Sequence, residues 1–279
     1  MTPSIIKALS INPLLLSALF AGLAASIVSG IIGSYVVVKR IAFISGSIAH
    51  SVLGGIGVCL WLEKSQGCTW ASPIFGTLIA ALLSALIISW IHINYRERED
   101  SVIAVLWSVG MAVGIIFISQ TPGFNLELTN FLVGNILWVT PVDLSILWIL
   151  DIIVIVIVLC LHHKLLILCF DEHQAQLQGI HTNTLYTLLL VLIAISVVLL
   201  VQVVGIVLVI TMLTIPAAIA NIFTTRLSRM MLIAISLNGF FCFSGIAIAY
   251  HLDWPAGATI ALMAGISYLL SVLFIPGKK

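Results

Sequence analysis

Charged side chains are scarce in this sequence. Lysine plus arginine number 11 and aspartate plus glutamate 10 in 279 residues, 8% in all, where soluble domains carry about 25%. So little charge cannot clothe a globular surface in water, which excludes a soluble domain. Basic tracts are missing too, and the net charge is +1, so nothing here tracks a nucleic-acid backbone. Five cysteines, Cys59, Cys68, Cys160, Cys169 and Cys242, are scattered without a C-x-x-C pair. That spacing argues against a disulfide framework and a structural zinc site. The chain also lacks a G-x-x-x-x-G-K-[ST] phosphate loop, a G-x-S-x-G elbow, an H-E-x-x-H helix and Rossmann glycines. An intramembrane protease needs a nucleophile and base, or paired aspartates, within the bilayer. Asp151 is the one clear mid-span carboxylate, and it has no pair.

What is present is apolar. Hydrophobic residues make up 62% and mean hydropathy is +1.27, the composition of a polytopic membrane protein. The uncharged run from Ala8 to Val38 is too long for a signal core and ends on a basic stop, Lys39-Arg40. It reads as a first membrane helix. Crossing the hydrocarbon takes about 20 apolar residues, which predicts an all-α bundle with spans near 14–38, 41–62, 71–93, 101–119, 142–162, 184–203, 205–223, 230–250 and 255–275. The sixth and seventh share one apolar run that must break near Gln202 to Gly205. The stretch "LTNFLVGNILWVTP" (128–141) is too short to span and reads as re-entrant or interfacial, leaving eight to ten spans.

Basic residues orient this arrangement. With nine spans and the N-terminus outside, Lys39, Arg40, Arg96, Arg98, Lys164, Arg226, Arg229, Lys278 and Lys279 fall on the cytoplasmic side, and only Lys7 and Lys64 outside. That asymmetry follows the positive-inside rule and puts the C-terminus in the cytoplasm. No long soluble segment is left over, so residues 1–279 read as one membrane domain.

Within the spans, an ionisable residue is a functional candidate by default. His50 stands in the middle of "RIAFISGSIAHSVLGGIGV" (40–58). Its neighbours along one helical face are Gly46, Ser47, Leu53, Gly54 and Gly57. Small residues allow a tight helix crossing, and they equally leave room for an ion or water. Both readings stay open: an interhelical histidine, or a polar waypoint in a translocation path. Asp151 should face the bundle rather than lipid, as a pathway group or a structural partner. "GMAVG" (110–114) marks a close crossing, within one chain or between two. Pro216 cannot donate to the carbonyl of Met212 and should kink its span, with Thr211 and Thr214 available to satisfy freed backbone groups.

Outside the spans, "FDEHQAQLQGI" (170–180) reads as a short cytoplasmic helix. Asp171 can cap its start and Gly179 suits a left-handed terminator. Phe170, Ala175, Leu177 and Ile180 supply apolar anchors, so it has the character of a docking element. His251 and Asp253 sit at the outer end of the eighth span, as a mouth or as ordinary loop residues. His162, His163, His173 and His181 crowd the cytoplasmic side without a fixed ligand spacing.

These pieces, in this order, resemble the permease subunit of the bacterial ABC importers for zinc, manganese and iron, the ABC-3 family. The resemblance rests on "RIAFISGSIAHSVLGGIGV", "RERED" (96–100), "FLVGNILWVTPVDL", "FDEHQAQLQGI", "VVGIVLVITMLTIPAAIA" (203–220) and "YHLDWPAGATIAL" (250–262). It implies a multi-pass protein of the bacterial cytoplasmic membrane with no cofactor and no catalysis of its own. ATP would be hydrolysed by cytoplasmic ABC ATPase subunits that receive the coupling segment at about 165–181. Within it, Phe170, Asp171, Glu172, Gln174, Leu177 and Gly179 would make the docking surface. An extracytoplasmic metal-binding protein would deliver metal to the outer mouth, and a second permease subunit, identical or paralogous, would complete the path. The family usually carries an acidic residue four positions before the histidine, both facing the path. Here the histidine matches His50, the metal ligand the resemblance implies, but the acidic position is Gly46. The alternative function is an ion-gradient-driven transporter of a small cation, for which Asp151 is the lone midplane carboxylate.

Overall fold

The computed structural model describes residues 13–68, 70–95, 99–121, 134 and 139–274. It is helical, with no strand among the described residues. In chain order the helices are α1 (Pro13–Val38), α2 (Ala42–Gln66), α3 (Pro73–Asn94), α4 (Glu99–Ser119), α5 (Pro141–Phe170), α6 (Glu172–Leu177), α7 (Thr182–Val204), α8 (Ile206–Phe223), α9 (Leu227–Leu252) and α10 (Ala256–Phe274). All but α6 are long and apolar enough to cross a membrane. Their bounds agree with the spans expected from hydropathy to within a few residues, with one difference. α5 continues through His162-His163-Lys164 to Phe170 because Leu165 and Leu168 keep burying one face. Thirty residues at about 1.5 Å each reach roughly 45 Å, well beyond a hydrocarbon core of about 30 Å. Most of the 128–141 segment lies outside the described residues.

Local chemistry sets the helix ends. Ser72 accepts from the Phe75 amide at the start of α3, with Pro73 in the first turn where its missing N–H costs nothing. α7 and α8 are separated by one residue, Gly205, at φ 81° and ψ 162°. Only glycine holds that conformation without strain, so the expected break falls on the residue that permits it.

The chain divides into two compact units, each built from segments remote in sequence. One comprises Met1–Arg40, Thr129–Cys160 and Leu199–Lys279; the other comprises Ile41–Leu128 and Leu161–Val198. In the first, α1 presents alanines, serines and glycines to α8 and α9. A Cβ added to Gly33 would collide with the Leu213 carbonyl. Asn238, fully buried on α9, donates to Ser29 Oγ on α1 at 3.0 Å and to the Met212 carbonyl on α8 at 3.1 Å. That carbonyl is the one that Pro216 leaves without its helical donor. The threonines named from sequence do not serve it: Thr211 donates to the Val207 carbonyl and Thr214 to that of Ile210. α8 runs on through Pro216, and a side chain from another helix repairs the gap.

In the second unit α2 is the central helix and packs on α3 and α4. The G-x-x-x-G pair faces α2 within this chain. A Cβ on Gly110 would lie 2.5 Å from the Ser51 Cα, and one on Gly114 would lie 2.6 Å from the Leu53 carbonyl oxygen. Asn238→Leu removes the donor from a buried carbonyl and should destabilise by about 1–3 kcal/mol. Gly239→Ala, whose Cβ would meet nothing within 4 Å, should leave the detergent-solubilised melting midpoint unchanged; equal midpoints for both variants would refute the role given to Asn238.

Candidate functional site

His50 lies about a third of the way along α2, half-buried, with its ring stacked on the indole of Trp107 of α4. The centroids are 4.2 Å apart and the planes 18° off parallel. Around it the small residues are used in packing. Ser47, fully buried, donates to the Ile103 carbonyl at 3.0 Å. Gly54 and Gly57 meet the backbones of Gly110 and Gly114. Ser51 and Ser84 hydroxyls sit 2.7 Å apart. The tight crossing anticipated for this face is therefore real, and it leaves the imidazole at its edge. Stacking fixes the plane of the ring, and no hydrogen bond to either ring nitrogen occurs among the described residues. An in-plane lone pair is thus available to a ligand.

Two cavities flank this seam. The larger, about 420 Å³, is walled by Gly55, Phe75, Ile79, Val109 and Val113, and its serines, Ser51 and Ser84, are spent on each other. The smaller, about 260 Å³, opens at the N-terminal ends of α2 and α4 and is lined by Phe43, Asp100, Ile103, Ala104 and Trp107. It shares Trp107 with His50 and holds one carboxylate. Among the described residues no group of three or more His, Cys, Asp or Glu could enclose a metal ion. One open imidazole suits passing contact with a cation, and closed coordination is not built here.

α6 has the ends that the sequence anticipates. Asp171 Oδ1 accepts from the Gln174 amide at 2.9 Å. At the other end Gly179 turns at φ 74°, its N–H bonding to the Gln176 carbonyl and the Ile180 N–H to that of Ala175, a Schellman closure. The two faces differ. Ala175 is buried, Glu172 and Ile180 are partly covered, and Gln174 is exposed. Phe170 and Leu177 stand out at 62% and 87% exposure.

Asp151 belongs to the other unit. It shares the buried face of α5 with Leu147, Val154 and Val158 at 1% exposure, and neither carboxyl oxygen has a hydrogen-bond partner among the described residues.

A family model described as "ABC 3 transport family" matches residues 12–275. The chain belongs to this family. The "Probable metal transport system membrane protein" of Chlamydia pneumoniae is 50% identical over 93% of this chain and 88% of that protein. The "Manganese transport system membrane protein MntC" of Halalkalibacterium halodurans is 32% identical over 93% and 86%. Among solved structures, PsaBC from Streptococcus pneumoniae in complex with Fab superposes with a TM-score of 0.85 at 29% identity, covering 99% of this chain and 97% of that one. The helical, multi-pass permease fold expected from the sequence is the fold of this ABC 3 chain.

The candidates are distributed over both units of the ABC 3 chain. His50, Gly46 and Ser47 share one helix in one unit, whereas Asp151 lies in the other. His251 and Asp253 are exposed at the end of α9, where Asp253 takes a left-handed cap at φ 57°. Sequence reasoning missed Trp107 and Asp100. Both had a signal: Asp100 closes "RERED", and Trp107 follows it by two helical turns on the same face. An unpartnered buried carboxyl costs stability, so Asp151→Leu should raise the melting midpoint, a stabilisation of about 1–3 kcal/mol. A clear drop on calorimetry would show that the carboxylate has a stabilising partner.

Proposed function

We propose that this chain is the membrane-spanning permease of an ATP-driven importer of divalent transition-metal ions, zinc, manganese or iron. The observation that carries the ATP-driven part is α6, a cytoplasmic helix closed at both ends, with its own Leu177 and the preceding Phe170, the last residue of α5, standing largely exposed. Exposed apolar anchors beside capped, polar ends suit insertion into a groove on a partner. With family membership, that partner is an ABC ATPase, which binds and hydrolyses ATP in place of this chain. The metal cargo is supported by relatives whose names carry metal or manganese transport. The chain would act as one permease domain in the bacterial cytoplasmic membrane, C-terminus inside, paired with a second permease subunit. An extracytoplasmic binding protein would deliver metal near His251 and Asp253.

In this reading His50 is the transient ligand. Neutral imidazole binds zinc well and accepts manganese and iron(II), and a path needs contacts weak enough to release the ion. Gly46 keeps the neighbouring turn open, Ser47 fixes α2 on α4, and Asp151 serves as a further polar group on the route. Family membership points away from the gradient-driven alternative. In liposomes, uptake of Mn²⁺ or Zn²⁺ should require both ATP and the ATPase subunit; uptake without them would overturn the proposal. His50→Ala should lower uptake by about tenfold, equivalent to roughly 1.4 kcal/mol of lost ligation, while the ATPase still co-purifies. Charge reversal at Asp171 and Glu172 should instead reduce co-purification, and wild-type recovery would remove α6 from the docking surface.

A further inference from the structure

His92 sits in the last turn of α3, 42 residues after the histidine of α2 in the sequence. Its ring stacks on Tyr186 of α7, centroids 4.1 Å apart and planes 26° off parallel. Its Nε2 lies 3.9 Å from Glu172 Oε1, the first residue of α6, with the two side chains 25% and 35% exposed. One turn earlier on α3, Ser89 Oγ meets Thr187 Oγ1 of α7 at 2.7 Å. From the far end of α6, Gln176 Nε2 donates to Thr182 Oγ1 at the start of α7, 3.2 Å away. α6 also follows α5 after a single residue, Asp171. A six-residue helix cannot hold its own direction in water, since its few internal bonds barely offset nucleation. Its orientation must come from these ties.

α6 thus buries Ala175, leaves Leu177 exposed, and is tied to its neighbours by directional polar contacts through Glu172 and Gln176. A half-exposed ion pair adds little stability, whereas an aromatic stack fixes distance and tilt. From α3, His92 touches both Glu172 of α6 and Tyr186 of α7. We propose that His92 is a positioning residue that transmits displacement of α6 to α3 and α7, linking ATPase movement to the membrane helices. This rests on the reading of α6 as the ATPase-docking element.

The test uses the intact permease–ATPase complex in liposomes and reads Mn²⁺ transported per ATP hydrolysed. His92→Ala should leave ATPase recovery at the wild-type level and hydrolysis within about twofold. The ratio of ions to ATP should fall by about fivefold or more, the lower end of ordinary coupling between sites. His92→Phe, which keeps a ring against Tyr186, should recover most of the ratio. If His92→Ala does not fold, Tyr186→Leu removes the same stack from the other side and is judged by the same fivefold loss. An unchanged ratio overturns the proposal while leaving the docking reading intact. So does a parallel fall of transport and hydrolysis in the Ala and Phe variants alike, which marks a merely structural residue. Failure of the wild-type chain to bind the ATPase overturns the docking reading, and this proposal with it.

Discussion

In hydrocarbon a backbone carbonyl without a donor has no water to turn to, and that constraint governs how the first unit is held together. Pro216 opens one such gap in α8, and Asn238 closes it from α9 while also binding Ser29 of α1. Three helices are thereby pinned at one amide. The same economy recurs in the second unit, where Ser47 reaches a carbonyl of α4 and Ser51 meets Ser84 of α3. Most buried polar groups among the described residues are small hydroxyls satisfied by a carbonyl of their own helix, and a few reach across to a neighbouring one. Asp151 breaks the pattern, with both oxygens buried and unmatched.

Size, more than polarity, separates inside from outside. Between lipid and a helix neighbour there is no hydrophobic gradient to exploit, so helices associate where small residues let backbones approach. Alanine, serine and glycine line the contacts of α1 and α2, while Leu159, Phe240, Leu269 and Leu273 point outward. Coverage differs widely between spans: 17% of α4 and 22% of α10 are buried, against 78% of α2.

These preferences explain what could be read from the sequence. Span number and limits were legible because bilayer thickness imposes them, and the caps of α6 because Asp171 and Gly179 act locally. The partner of the G-x-x-x-G pair was not legible, since glycines say how close but not to what. Nor was the acceptor of Asn238, because its 26-residue separation from Met212 carries no period. The extension of α5 was hidden by two histidines and a lysine that look like a loop. His50 was visible as an oddity, but Trp107 had to be placed beside it by the fold. His92, Tyr186 and Glu172 come from three helices, and no local pattern joins them.

The glycine contacts between α2 and α4 have a mechanical meaning. Two helices that interlock backbone to backbone cannot slide past each other without lifting apart. Imidazole and indole therefore travel together as one plate. Any rearrangement that parts His50 from Trp107 must first lift α2 off α4, so the two rings keep their mutual geometry as long as the glycine seam holds.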